Sequence, residues 1–283
     1  LNGGDLEVQG VELDLDMNLL QQYDGLSWSA NVNFYADESL VTRLPEGVDQ
    51  IIIGNYSNFD AKNAAIVGQP FGVLIGDKIR TDDSGNRVIN AATGNYIIDP
   101  QDVVIGDPNP DFLLNFDNTF KYKGFNLNIG MGYRHGGDIF SKQAVTLLSR
   151  GIIDFPFDRL GTYIFPGVNV DGSPNTTQIG ATDIAFSNWL GTDELEIWDG
   201  TTIRLREISL GYDFKGSVLD KLPFNSLSIA LSGTNLWYKA VNFPEGVNFD
   251  TNTLSNGVGN NIGIEYFAGP SSKRYGFTIN ASF

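Results

Sequence analysis

The sequence predicts an all-β chain that forms part of a large antiparallel transmembrane β-barrel. Three observations carry that expectation. Apolar residues recur with a period of two in nearly every run, short turns alternate with very long loops, and aromatics stand at strand ends on the apolar phase. A soluble antiparallel sheet with one wet face shows the same alternation, so the period alone decides little. Loop sorting and aromatic belts decide more, because barrels of the outer-membrane kind keep short turns on one side and long loops on the other.

The strands follow in order. Val11, Leu13, Leu15, Met17 and Leu19 alternate with Glu12, Asp14, Asp16 and Asn18. After a turn at 20–25, Leu26, Trp28, Ala30, Val32 and Phe34 alternate with Ser27, Ser29, Asn31 and Asn33. A third strand carries Leu114, Phe116, Phe120 and Tyr122 on one face, with Asn118 as the polar intruder. It turns at Lys123-Gly124 into Phe125, Leu127, Ile129, Met131 and Tyr133. A fifth holds Ile203 and Leu205, then Ile208, Leu210, Tyr212 and Phe214, and the slip at Arg206-Glu207 reads as a bulge. Leu227, Ile229 and Leu231 make the sixth, and Tyr275, Phe277, Ile279, Ala281 and Phe283 the seventh. Runs of about 9 to 12 residues suit a tilted membrane crossing. Trp28, Tyr122 and Tyr212 lie near short turns, Tyr133 and Tyr275 near long loops, so two interfacial belts are expected. The loops at about 36–110, 135–198 and 239–270 are expected outside the cell.

Composition excludes several classes. At 41% apolar and 12% aromatic the 283-residue chain is too rich in core-forming residues for disorder. No apolar run approaches the ~18 residues of a membrane helix; Ala64 to Gly76 is broken by Gln69 and Pro70. A net charge of −16 disfavours nucleic acid, and the absence of cysteine removes disulfides and thiol chemistry. The opening Leu1-Asn2-Gly3-Gly4-Asp5 carries no signal-peptide pattern, so either the mature chain starts there or residues lie upstream. Seven strands cannot close a bacterial barrel, and an open edge is not tolerated in lipid, so the chain is expected to be one piece of something larger.

Several stretches resemble SusC/RagA-family TonB-dependent transporters. They are Val67-Gly68-Gln69-Pro70-Phe71-Gly72, Gly106-Asp107-Pro108-Asn109-Pro110-Asp111-Phe112, Asn118 to Phe125, Tyr133-Arg134-His135-Gly136-Gly137-Asp138-Ile139, Asp199 to Arg206, Ser232-Gly233-Thr234-Asn235-Leu236-Trp237 and the closing Arg274 to Phe283. The likeness spans essentially the whole chain in the family's order. Asn242-Phe243-Pro244-Glu245-Gly246 departs from the family's Gly-x-Asp-Pro-Glu stretch, so no ligand role is carried onto it. The resemblance implies that residues 1–283 are the C-terminal segment of a 22-stranded, plugged barrel, whose plug and N-terminal strands lie outside this sequence. It implies a SusD-like surface lipoprotein as partner and energy from TonB acting through the plug region. It also makes the aromatic end Tyr275, Phe277, Ile279 and Phe283 an insertion signal.

Candidate residues divide by location. Glu12, Asp14 and Asp16 form an acidic row expected on the lumen wall, with Asp117, Lys121, Arg134 and Arg204 facing inward as cross-strand ion pairs or plug contacts. Tyr163, Phe165, Trp189 and Trp198 read as exposed loop aromatics, able to stack on a sugar or peptide or else to pack the loop or dock a lid. Asp82-Asp83-Ser84-Gly85-Asn86 reads as a tight turn, since no glutamate follows at calcium-loop spacing. His135, the single histidine, has no nucleophile beside it, so neither catalysis nor a metal or other cofactor is expected. The expected function is TonB-dependent import of oligosaccharides or peptides across an outer membrane. A scaffold role in a larger outer-membrane complex and a soluble all-β carbohydrate-binding module are the alternatives.

Overall fold

The computed structural model describes residues 3–23, 25–55, 61–154, 157–221, 223–243, 246–252, 259, 261–269 and 271–283. Seven strands form one antiparallel sheet in sequence order: β1 (Asp5–Tyr23), β2 (Leu26–Arg43), β3 (Phe112–Tyr122), β4 (Phe125–His135), β5 (Thr202–Asp213), β6 (Ser226–Ala240) and β7 (Arg274–Ser282). β1 and β7 are its two edges, and among the described residues they pair only inward. The expected seven strands are therefore present as an open up-and-down wall. Two are much longer than their apolar runs: β1 has 19 residues and β2 has 18. The first long loop consequently begins after Arg43 rather than at 36, because ladder pairing continues through Asp37–Gly10 to Arg43–Asp5 beyond the point where the apolar alternation stops.

Register explains the alternation. Leu26, Tyr122, Phe125, Tyr212, Ile229 and Ile279 stand opposite one another across the sheet, and Trp28, Phe120, Leu127, Leu210, Leu231 and Phe277 make the next row on the same face. The intervening rows, such as Ser29, Thr119, Asn128, Ser209, Ser232 and Gly276, are polar. A period of two in sequence thus becomes one apolar and one polar face. The turn between β3 and β4 is a two-residue hairpin with Lys123 at φ 46 and Gly124 at φ 94, the doubly left-handed geometry that matches strand twist.

The slip at Arg206 is a bulge. Leu205 opposes Met131 and Glu207 opposes Gly130, leaving Arg206 without a partner on β4. On the other side Leu205 opposes Trp237 and Glu207 opposes Thr234, so β6 bulges too, over Asn235 and Leu236. Asn235 sits at φ 53, and a Cβ on Gly233 would come 2.7 Å from Leu236 Cδ2. The Ser-Gly-Thr-Asn-Leu-Trp motif is the local chemistry of that bulge, with Asn tolerating the left-handed turn and Gly admitting the folded-back leucine.

The three long loops fold together into a cap with its own core. Strands 50–55, 62–66, 73–79 and 98–106 form a four-stranded sheet. Asp138–Ser141 pairs with Ile197–Asp199 on one side and Ile264–Glu265 on the other. Leu74 and Ala61 of the first loop, Phe140 of the second and Ile264 of the third meet in one buried cluster. Helix α1 (Lys142–Arg150) is capped at both ends. Ser141 Oγ accepts from Ala144 N at 3.1 Å and donates to the buried Glu265 at 2.8 Å, while Gly151 closes the last turn at φ 69. Val73–Ile79 of the first loop belongs to this cap sheet and not to the wall.

Candidate functional site

On the polar face, Asn31 Nδ2 donates to Asp14 at 2.6 Å and Asp16 at 2.9 Å, so this part of the acidic row is tied by an amide rather than left as bare charge. Glu12 stands opposite Tyr35. Asp117 pairs with Arg206, whose Nη2 donates to both carboxylate oxygens at 2.7 Å. Arg206 is the residue that sequence reasoning missed. Two residues beyond Arg204, it lies on the polar face by the strand's own period of two, and the bulge leaves it without a partner on β4. Gly130 and Gly132 leave the room: a Cβ on Gly130 would lie 2.6 Å from Asp117 Oδ1, and one on Gly132 would lie 3.2 Å from Arg206 Cδ. Arg204 pairs with Asp250 of the third loop, which corrects the expectation of a cross-strand or plug partner. Burial pushes the Asp250 carboxyl up, but Arg204 and further hydrogen bonds hold it below the ordinary value. Arg134 donates to the carbonyls of Gly136 (3.2 Å) and Pro108 (2.9 Å), so it too faces loop groups. The three arginines line one recess of about 240 Å³. Lys121 opposes Ser27 and Asn126 on the same face.

The apolar face explains Asn118. Its Oδ1 accepts from Trp28 Nε1 at 3.0 Å, and Trp28 stacks on Phe120 at 5.5 Å. The polar intruder is thus the partner that an indole needs away from water. Tyr212 contacts Phe125 (4.7 Å) and Phe214 (5.0 Å), and Lys123 lies 4.9 Å from the Tyr122 ring, so rings meet one another at the short-turn end. At the loop end Tyr133 Oη lies 3.1 Å from His135 Nδ1. Tyr275, Phe277, Ile279 and Phe283 are all exposed, and Phe283 packs on Phe224 at 5.0 Å.

The motifs converge on a clasp where the cap meets the wall. Asp107 N donates to Asp138 Oδ2 at 2.9 Å, and Asp138 N returns a bond to Asp107 O at 2.6 Å. Phe71 N donates to Ser39 Oγ at 2.9 Å, and Asn109 Nδ2 reaches Phe71 O at 3.1 Å. Gly136 N donates to Thr201 Oγ1 at 3.0 Å and Gly200 N to Gly137 O at 2.9 Å. Gly137 stands at φ 77, where a Cβ would overlap the Arg134 guanidinium. These residue types serve close backbone approach, not catalysis. His135 sits at the exposed edge of the clasp, its Nε2 3.6 Å from Asp111 and its Nδ1 against the Tyr133 hydroxyl. Burial, reinforced by Asp107, Asp199 and Asp111, raises the Asp138 carboxyl above its ordinary range, against the bond from Asp107.

The four loop aromatics are not exposed as expected. Phe165 is buried, and Tyr163 and Trp189 pack against the same cluster with Ile89, Ile179 and Ile184. Trp198 stacks on Phe243 at 5.9 Å in another cluster. The alternation of sequence gave no warning, because the loops bring distant segments over these rings. Three of them, Phe165, Trp189 and Trp198, nevertheless border one cavity of about 410 Å³, whereas Tyr163 Oη donates to Asp158 O at 3.2 Å. Asp82 is the expected turn, its Oδ1 accepting from Ser84 N and Asn86 N at 2.9 and 2.8 Å. Of the departing stretch 242–246, Pro244 and Glu245 lie outside the described residues. Among the described residues no group of three or more metal-ligating side chains assembles, and no helix is long and apolar enough to cross a membrane.

No protein-family model matches the chain. It is 26% identical over its whole length to TonB-dependent receptor P3 of Formosa agariphila, covering 29% of that protein. It is also 25% identical over 90% of its length to TonB-dependent receptor P26 of the same organism, covering 27% of it. Among solved structures it superposes over 100% of its length on 30% of a chain of the RagAB peptide transporter, with a TM-score of 0.63 at 16% identity. The RagAB peptide importer in its open-open state gives 0.63 at 16% identity over 99% of this chain and 29% of that one. The chain therefore spans under a third of the length of the curated relatives it matches. With the motifs and the open seven-stranded wall, these likenesses make the chain similar to a segment of TonB-dependent receptors, and its fold is that of part of the RagAB transporter's chain.

Proposed function

We propose that the protein containing this chain imports an oligomeric nutrient, an oligosaccharide or a peptide, across the outer membrane of a Gram-negative bacterium. The observation that carries the reading is the two-faced wall. Its apolar rows meet lipid, its polar rows line a lumen, and the folded cap stands at the extracellular end over the mouth. Trp28, Tyr122 and Tyr212 form one interfacial belt and Tyr133 and Tyr275 the other, while Glu12, Asp14, Asp16, Asp117, Lys121, Arg134 and Arg204 belong to the lumen wall. Further strands of the same barrel cover the free edges of β1 and β7, since unpaired backbone is not tolerated in hydrocarbon. A barrel wide enough for such a ligand is closed by a plug, and the outer membrane has no ATP to move it, so force arrives through TonB. A SusD-like surface lipoprotein closes over the cap, whose first loop holds nine acidic residues against four basic ones between 44 and 110. The likeness to TonB-dependent receptors and to a chain of the RagAB peptide transporter supports this reading.

The test is uptake of candidate peptides and glycans by strains lacking the gene or lacking the TonB-contacting segment of the plug. Both strains are expected to lose uptake of the cognate oligomer, and a lipoprotein is expected to co-purify with the intact receptor. Wild-type uptake of every oligomer tested, with no lipoprotein retained, would leave a scaffold in the membrane as the better account.

A further inference from the structure

The apolar rows of the wall end on a charge. Register sets Leu26, Tyr122, Phe125, Tyr212, Ile229 and Ile279 in the first row at the short-turn end. It sets Phe34, Leu114, Tyr133, Ile203 and Lys239 in the fifth, at the loop end. Across those five rows Lys239 is the only charged side chain among the described residues. It is exposed, and so is Trp237, which stands one row below it opposite Leu205. Among the described residues no carboxylate pairs with Lys239, although acidic residues outnumber basic ones by 34 to 18. Glu7 and Glu38 continue the phase of Leu13 and Phe34 above these rows, but on β1 and β2 at the other side of the sheet.

Successive rows are two residues apart, about 6.8 Å along a strand, so the fifth stands roughly 27 Å up the strands from the first. A strand tilt of about 40° turns that into roughly 20 Å of depth, against an apolar band of about 25 Å in outer-membrane barrels. With the first row at one boundary of the band, Lys239 and Trp237 reach the other. There an indole sits at headgroup level, and a lysine stem lies along apolar surface with its ammonium in the polar zone. An ammonium on a lipid-facing row, with no protein carboxylate to meet, takes its counter-charge from a headgroup. A phosphate supplies both the charge and several acceptor oxygens for the three ammonium donors.

We propose that Lys239, with Trp237 below it, binds the phosphate of an anionic lipid headgroup in the leaflet at the loop end. The inference rests on the membrane reading of the wall and adds a lipid ligand to it. The experiment uses an intact receptor free of other thiols, with one fluorophore-bearing cysteine at Ile203, opposite Lys239 in the fifth row. It is reconstituted in phosphatidylcholine bilayers that contain a nitroxide-bearing lipid, either phosphatidic acid or phosphatidylcholine, at equal mole fraction. Phosphatidic acid is expected to be enriched about fivefold around the label, which corresponds to about 1 kcal/mol for one lysine near an anionic surface. Lys239→Gln is expected to abolish the preference and Lys239→Arg to keep it. A label at Phe34, in the same row but four strands away, is expected to show none. Equal quenching by the two lipids at Ile203, an equal preference at Phe34, or a preference that survives Lys239→Gln would overturn the proposal and leave a lysine that only snorkels to water. Quenching of neither label by either lipid would instead overturn the membrane reading, and the lipid site with it.

Discussion

In the wall, Leu231, Phe277 and Ile279 are about 60% exposed; in the cap, Leu74, Ile89, Phe140 and Ile264 are buried almost completely. The two regions use the same apolar alphabet with opposite outcomes. The cap behaves as a water-soluble domain does, closing segments from three loops around clusters of Ile, Leu and Phe. The wall instead leaves whole rows uncovered, among them Val11, Leu13, Leu15, Phe116, Phe125, Met131 and Leu210. Each such side chain forgoes roughly 1.5–3 kcal/mol if water remains its neighbour, against a total folding stability of about 5–15 kcal/mol for a whole domain. Under the proposed reading, hydrocarbon rather than water surrounds that face. The difference teaches that an exposed apolar row is a defect or a design according to what surrounds it.

The largest effect that would break this comparison concerns the whole segment. Expressed without detergent or lipid, it is expected to aggregate, because the apolar rows and the free edges of β1 and β7 seek partners together. A monodisperse soluble monomer with one cooperative melting transition would instead favour a soluble β module. Within the cap, Gly263→Ala is expected to destabilise the intact receptor by about 2–4 kcal/mol, since φ is 73 and a Cβ would overlap Pro108. Gly85→Ala also carries positive φ but meets nothing within 4 Å, so about 1 kcal/mol is expected. Equal losses in denaturant titrations would deny that the clasp is closely packed. In the wall, the proposed lipid and lumen faces predict that Ile129→Arg costs roughly 2–4 kcal/mol in a bilayer and Asn128→Arg about 0–1. Equal costs would reverse or erase the assignment of faces.

How much of this was legible in the residues differs between the same two regions. The wall was readable strand by strand because a period of two survives any packing, and the bulge at Arg206-Glu207 showed itself as a slipped phase. What the slip did not reveal was its use: Arg206, not Arg204, reaches Asp117, and Arg204 reaches forward to Asp250. Asn118 looked like a flaw until Trp28 supplied the donor, a contact between residues ninety positions apart. The cap was legible only as length and as motifs. Its aromatics read as exposed because no local period marks a core assembled from Tyr96, Phe165 and Trp189. Likewise the Arg-His-Gly-Gly-Asp and Gly-Asp-Pro-Asn-Pro-Asp runs identified relatives well before their shared clasp gave them a physical role.

A smaller effect tests the electrostatics of the clasp. The folded state raises the Asp138 carboxyl, so it holds a proton more tightly than the unfolded chain does. That group therefore opposes folding at neutral pH, and the penalty is relieved as pH falls through the raised value toward the ordinary 3.8. Asp138→Asn keeps an oxygen for the Asp107 amide and removes the charge. The variant is expected to gain stability relative to the parent at pH 7, with the difference shrinking on acidification in thermal melts. A constant difference would show that burial of this carboxylate costs nothing.

The central claim is that one face of the wall meets hydrocarbon and the other does not, and the absence of cysteine makes it directly measurable. Single cysteines placed in turn at Asn126, Leu127, Asn128, Ile129, Gly130 and Met131, in an intact receptor free of other thiols and reconstituted in vesicles, can carry a small fluorophore. Lipid-borne nitroxide is expected to quench the labels at Leu127, Ile129 and Met131 strongly and those at Asn126, Asn128 and Gly130 weakly, in strict alternation. Quenching that is uniform along β4, or strongest at the polar positions, would contradict the account.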